Sequence, residues 1–497
     1  MIPEEVMFGC QDSKDERYKI MKIWDLDKFK DNMAVIDDEN DSISYGDLSD
    51  LSSKLYSLTD ARSLVFILCS NGIGSIISYV SCINYGNVPL LLNAELDEEL
   101  LANLIGIYGP GFVFLPYERY QELREKGILA DGTELYSFYG YVLINRNLKQ
   151  KYELNPSLAL LLTTSGSTGS PKFVRQSYEN VRTNAESIVQ YLSLDETERP
   201  ITTLPMNYTY GLSIINSHLF AGGTLLATKK SLMQKEFWQF FREQKATSIS
   251  GVPYTYEMLD RLRFTRMDLP SLRTMTQAGG KLIPELHKKF AEYARDNGKQ
   301  FFVMYGQCEA TARMGYLPAD KAVEKCGSMG IAIPGGKFHL IDVNGEEITV
   351  PDTVGELVYE GENVTLGYAE CKEDLTRGDE RNGLLHTGDM ARFDEDGYYY
   401  IAGRKKRFLK IYGNRVNLDE IDCMIKGKFE NMDVASSGVD DHMYIFVTDE
   451  SQADDVKNFV VSKTKLNPVA FKTVVIDEIP KNDAGKVLYQ KLSAFYE

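Results

Sequence analysis

The chain reads as an α/β protein: a large N-terminal α/β domain with parallel sheets and a small β unit, then a small C-terminal α+β domain. Three observations predict this. Two continuous apolar runs, Leu64–Cys69 and residues 88–92, flank an apolar helical stretch over 73–85 that ends at Gly86. Runs that are apolar on both faces belong to parallel strands covered by helices. Strand-like runs then return at 201–204, 223–227 and 247–252, with helical patterns such as 232–243 between them. Finally, residues 337–368 change to alternating residues with Gly345, Gly355 and Gly361 at turns, which predicts a small antiparallel unit with strands near 339–343 and 355–359.

Taken in order, a short alternating run from Ala34 leads to Ser44-Tyr45-Gly46-Asp47 and a helix with Leu48, Leu51 and Leu55 on one face. After Asp396-Gly397 comes the most basic stretch of the chain, Arg404, Lys405, Lys406, Arg407 and Lys410. From Asn417 the pattern is helix, strand (443–447), helix, strand (473–477). Some ninety residues suffice for a separate domain, so the expected division is 1–404 and 405–497, with the boundary near Lys406.

The 497 residues are too many for one core. A hydrophobic share of 43% beside 26% charged residues is that of a soluble globular protein. The net charge of -17 argues against nucleic acid or an anionic membrane surface as partner, since either demands a basic face. No apolar run approaches bilayer-spanning length, and the charged N-terminus is unlike a secretory signal. Seven scattered cysteines without a Cys-x-x-Cys pair read as reduced thiols in a cytoplasmic protein, with Cys69 and Cys82 as core residues.

The chemistry centres on residues 158–181, LALLLTTSGSTGSPKFVRQSYENV. A buried strand breaks at Thr163 into hydroxyls and glycines, closes with Pro171-Lys172 and hands over to a helix near Asn180-Val181. Glycines let backbone N–H groups approach a polyphosphate, Thr164, Ser165, Ser167 and Thr168 add hydroxyl donors, and Lys172 adds a point charge. The spacing is not that of a Walker A loop. A polar turn between strand and helix is the plainer alternative. Three further stretches carry chemistry. In MYGQCEAT (304–311), Tyr305-Gly306 suits stacking on a purine and Glu309 suits Mg²⁺. In HTGD (386–389), Asp389 behind a glycine turn can accept two ribose hydroxyls. PKNDAGK (480–486) presents Lys486 from a turn and matters only if that turn reaches the phosphate loop.

In this order these blocks resemble the AMP-forming adenylating superfamily of acyl-CoA synthetases, nonribosomal peptide adenylation domains and firefly-type luciferases. The resemblance spans nearly the whole chain: SISYGDL, TSGSTGSPK, MYGQCEAT, GELVYEGENVTLGY, LLHTGDMARFDEDGYYYIAGR and NDAGK. It implies that the C-terminal domain is a mobile lid turning about Lys406, where most relatives carry Asp and the luciferase branch carries Lys. It implies that ATP and Mg²⁺ bind, with Thr164, Ser165, Gly166, Ser167, Thr168, Gly169 and Lys172 holding the β- and γ-phosphates. Ala278, Gly279, Gly280 and Tyr305 would flank adenine, Asp389 and Arg404 would hold ribose, and Glu309 with Thr168 would ligate the metal. Gly306 and Cys308 would border nucleotide and acid. Lys486 would bridge the substrate carboxylate and the α-phosphate, and lid rotation would exchange it for the face near Lys410. Cys308 stands where the family usually has Thr, and a thiol is the weaker donor.

Amino-acid-activating relatives place an Asp after the Leu-Pro strand end. Residues 204–211, LPMNYTYG, carry no carboxylate there, and an unpaired ammonium in a pocket is costly. The expected substrate is therefore a fatty, hydroxy or aryl acid, bordered by Tyr208 and Tyr210 with Gly279 and Gly306. Its acyl group would pass to the phosphopantetheine thiol of coenzyme A or of a carrier protein. An amino-acid-adenylating enzyme, or a degenerate nucleotide-binding protein marked by Cys308 and Lys406, are the alternatives.

Overall fold

The computed structural model describes residues 22–148, 152–163, 172–405, 407–412, 414–429, 432–481 and 487–496. Within that range it is α/β throughout. An eight-stranded sheet has the order 367–369, 173–177, 158–163, 88–93, 64–69, 112–116, 141–145, 133–138. Its middle strands run parallel and its flanks antiparallel. Strand Leu64–Cys69 shows why: all six residues are buried. Val65, Ile67 and Cys69 join one apolar cluster and Leu64, Phe66 and Leu68 another, so both faces must be covered. Each such side chain contributes about 1.5–3 kcal/mol by leaving water. Helix Ile73–Ile83, buried at every residue, covers one face. The same cluster takes in Val35, Leu225 and Ala227 of a second, nine-stranded sheet, so the helical layer is shared between the sheets.

That second sheet has the order 331–332, 315–317, 300–305, 274–277, 248–251, 200–201, 225–227, 33–37, 42–44. The antiparallel unit is larger than the expected 337–368. Four strands form it: Lys337–Ile341, Gly355–Glu360, Leu384–Phe393 and Tyr399–Arg404. From residue 408 onward a hairpin, a helix Leu418–Lys428 and a three-stranded sheet follow. The apolar clusters there draw on residues from 409 onward only. The sheet includes Val434–Val439, whose alanine and serines give no strand signal in sequence. No helix among the described residues is long and apolar enough to cross a membrane.

The expected strand-to-helix passage around the hydroxyl-rich loop needs correction. Leu158–Thr163 pairs antiparallel with Phe173–Ser177, a strand not expected there, and the helix follows at Tyr178, near the expected Asn180-Val181. Ser177 caps it, accepting from the Asn180 N–H while the Asn180 side chain accepts from the Ser177 N–H. The intervening FVRQS segment looks polar but is buried at all five positions. Arg175 makes that burial tolerable. It pairs with Glu380 at 2.6 Å and donates to the carbonyls of Leu366, Tyr368 and Gly378. Tertiary partners, not intrinsic preference, make this a strand.

Candidate functional site

Strands 248–251, 274–277 and 300–305 run parallel and end together. The carboxyl ends of parallel strands, where their loops diverge, are where open α/β sheets take ligands. Two of these ends supply Ala278-Gly279-Gly280 and Tyr305-Gly306. Neither glycine leaves room for a side chain, because the chain packs closely against both. A Cβ on Gly306 would stand 1.6 Å from the Ala312 carbonyl oxygen, and one on Gly279 (φ +83°) would stand 2.7 Å from Tyr208 Oη.

Tyr305 reaches across to the antiparallel unit, where its hydroxyl donates to Asp389 Oδ2 at 2.5 Å. Gln307 Nε2 donates to the same oxygen at 2.9 Å and to the Thr387 carbonyl at 3.0 Å. Asp389 pairs in register with Arg404, whose Nε lies 3.6 Å from Oδ1 while its side chain stays 60% exposed. Burial pushes the Asp389 carboxyl above its usual range, against the lowering effect of Tyr305, Arg404 and Gln307. Burial, with Asp389 beside it, pushes the Tyr305 hydroxyl well up, so it remains a donor. A buried carboxylate held by neutral donors suits paired hydroxyls such as those of a ribose.

Glu309 and Lys172 meet at one aromatic ring. Tyr368 Oη donates to Glu309 Oε1 at 2.8 Å. Lys172 Nζ lies 3.9 Å and the Arg381 guanidinium 4.6 Å from the ring centroid of Tyr368. Arg381 and the Thr365 amide also donate to the Glu309 carbonyl at 3.0 Å, which fixes the turn. The other Glu309 oxygen has no recorded protein donor among the described residues. Among them no group of three or more His, Cys, Asp or Glu gathers. One carboxylate near a lysine nonetheless fits Mg²⁺, which takes one or two carboxylates and completes its shell with water and phosphate oxygens.

An aromatic cluster lies beside the Gly279 turn. Tyr208 stands just ahead of helix Thr209–Ala221, edge-on to Tyr210 at 6.4 Å, and Cys308 is buried near the Tyr208 hydroxyl. Tyr210 is buried, its hydroxyl 2.8 Å from Thr276 Oγ1. Thus Lys172, Ala278, Gly279, Gly280, Tyr305, Gly306, Cys308, Glu309, Asp389, Arg404, Tyr208 and Tyr210 are gathered at or beside the strand ends. Thr164, Ser165, Gly166, Ser167, Thr168, Gly169, Lys406 and Lys486, with the side chain of Lys410, lie outside the described residues.

A family profile described as AMP-binding enzyme matches residues 24–369. The chain belongs to that family. This AMP-binding enzyme is similar to the oxalate–CoA ligase of Arabidopsis thaliana, 28% identical over 347 residues. The match spans 66% of each chain, just under two thirds of that enzyme's length. It is also similar to the 2-succinylbenzoate–CoA ligase of Bacillus cereus AH820, 26% identical over 87% of this chain and 88% of that one. Two solved structures share the fold. ATP-bound MatB from Rhodopseudomonas palustris has a TM-score of 0.77 at 22% identity, covering 96% of this chain and 99% of that one. The Bacillus subtilis o-succinylbenzoate CoA synthetase with its acyl-adenylate OSB-AMP has 0.75 at 21% identity, covering 94% and 97%.

Four residues of this AMP-binding enzyme escape motif reading. Gln307 and Tyr368 lie inside recognised blocks, and Gln307 shares a strand-like face with Tyr305 two residues before it. Arg381 follows a loop and gives no signal. Arg313, in the ATARMGY continuation, gives only a charge in an apolar context.

Proposed function

We propose that the protein is an AMP-forming acid–thiol ligase of the acyl-CoA synthetase type, using ATP and Mg²⁺. The observation that carries this is the Tyr305–Gln307–Asp389 cluster, a buried carboxylate ringed by neutral donors beside two glycine turns, next to Glu309 and Lys172. In the first step a carboxylate oxygen of the acid attacks the α-phosphorus and pyrophosphate leaves. In the second a thiol, losing its proton, attacks the acyl carbon and AMP leaves. Asp389 and Arg404 hold the ribose. Ala278, Gly279, Gly280 and Tyr305 bracket adenine. Lys172 and the loop Thr164, Ser165, Gly166, Ser167, Thr168 and Gly169 take the phosphates. Glu309 and Thr168 would hold Mg²⁺, which would supply neutralisation of phosphate charge. Tyr208 and Tyr210, with Gly279 and Gly306, border the acid.

The division at 404/405 makes the C-terminal part a lid on Lys406, alternately presenting Lys486 and the face near Lys410. Named relatives are CoA ligases, so coenzyme A is the acceptor to try first and a carrier protein second. The absence of a carboxylate from 204–211 speaks against an amino acid. Purified protein with Mg-ATP and a panel of acids should show acid-dependent pyrophosphate exchange, and no exchange with any acid would favour a degenerate nucleotide-binding protein. Lys486→Ala should lower adenylation by about 10² to 10³ while sparing thioester formation from preformed acyl-adenylate. Equal loss in both half-reactions would remove the rotating-lid account.

A further inference from the structure

Three arginines are buried among the described residues. Arg175 pairs with Glu380, and Arg407 with Asp419 and Asp422. Arg313, 2% exposed, pairs with no carboxylate among the described residues. Its Nε donates to Ser213 Oγ and its Nη1 to Tyr191 Oη, each at 3.0 Å. Met304 Sδ lies 3.4 Å from Nη1, and the guanidinium lies 5.3 Å from the Tyr210 ring centroid. Nη2 makes no hydrogen bond to a described residue. A buried cation met only by neutral groups leaves most of its desolvation cost uncompensated, and a guanidinium fork matches a carboxylate better than any other common group.

Its place in the fold indicates what that anion belongs to. Successive strand residues face opposite ways. Tyr305 turns to Asp389, on the nucleotide side, and Met304 turns to Arg313 and the aromatic cluster on the acid side. Tyr208 stands beside Gly279 and Cys308, Tyr210 is packed against Tyr208, and Arg313 lies over Tyr210. The guanidinium is thus one aromatic ring deeper than the groups that border the reacting carboxylate.

We propose that Arg313 receives a second, distal carboxylate of the acid, so that the preferred substrate is a dicarboxylic acid activated at one end. This rests on the ligase reading above and names its substrate class. The same cation repels an ammonium at that depth, in keeping with the missing carboxylate in 204–211.

The test is a matched panel in the full-length enzyme with Mg-ATP. Straight-chain acids of four to ten carbons are each compared with the diacid of equal length, and benzoate with isophthalate, by pyrophosphate exchange. At least one diacid should exceed its plain counterpart in kcat/KM by about 10- to 100-fold, the worth of a charge-assisted bidentate pair. Arg313→Met should lower that ratio at least about 10-fold, and Arg313→Lys should retain part of it. Plain acids that match or exceed every diacid on the unaltered enzyme overturn the assignment even if Arg313→Met does not fold. A ratio unchanged in a folded Arg313→Met overturns it equally. Exchange with no acid at all overturns the ligase reading itself, a result distinguishable from turnover of plain acids alone.

Discussion

On one side of the end of the 300–305 strand Asp389 is a buried anion, and on the other Arg313 is a buried cation. Both are surrounded chiefly by neutral donors or acceptors. Asp389 lies at the rim, where the half-open Arg404 approaches to 3.6 Å. Arg313 lies deeper, among tyrosines, a serine and a methionine. The contrast teaches that a protein holds a charge in two ways. At the rim solvent and an exposed partner share the burden, and the carboxylate is free to exchange neutral partners for sugar hydroxyls. Inside, only dipoles and a ring face help, and the group is matched by an ion that arrives with the ligand.

The largest test strikes what both sides share. Gly306→Ala places a Cβ against the Ala312 carbonyl, a backbone atom with nowhere to go, and should cost about 3 kcal/mol or more of stability. Exchange activity should fall at least about 100-fold, for plain acids and diacids alike. A variant with normal melting and activity would show that the two sides lack this common support. Next, Asp389→Asn should weaken ATP by about 10- to 100-fold in KM, since an amide accepts at one oxygen only and carries no charge. The preference among acids should not move. A shifted acid ratio would break the separation between the two sides.

The pH dependence follows from the same residue. Because burial raises the Asp389 carboxyl above the ordinary value, the folded chain holds this proton more tightly than the unfolded chain does. Its contribution to stability is therefore present at low pH and is lost as pH rises from about 4 through the raised folded value. In thermal melts without nucleotide, Asp389→Asn should be more stable relative to the parent at pH 7 than at pH 4. An identical difference at both pH values would contradict a carboxylate whose burial outweighs its partners. Smallest is Tyr305→Phe, which removes one of two donors to Asp389. It should raise the KM for ATP by about 3- to 10-fold and leave acid selectivity unchanged.

Much of this was legible in the sequence because it is encoded locally. Leu64–Cys69 is apolar at every position, and the glycines and carboxylates at the strand ends occur in short blocks of fixed order. What stayed hidden depends on distant partners. Phe173–Ser177 is a strand because Glu380 and the carbonyls of 366–378 satisfy Arg175. Tyr368 joins Lys172 to Glu309 across almost two hundred residues of chain. No periodicity announces such meetings. Arg313 was equally silent, since its meaning lies in the carboxylate that is missing beside it.

The back-to-back arrangement of Met304 and Tyr305 makes sugar recognition and acid selection a single decision of alignment. A substitution at either position perturbs one pocket. Insertion or deletion of one residue between Gln300 and Tyr305 would swap the two faces, sending the tyrosine toward Arg313 and its tyrosine neighbours and the thioether toward Asp389. Point changes around Arg313 would therefore alter one pocket at a time, while a change in the length of that short segment would disturb both at once.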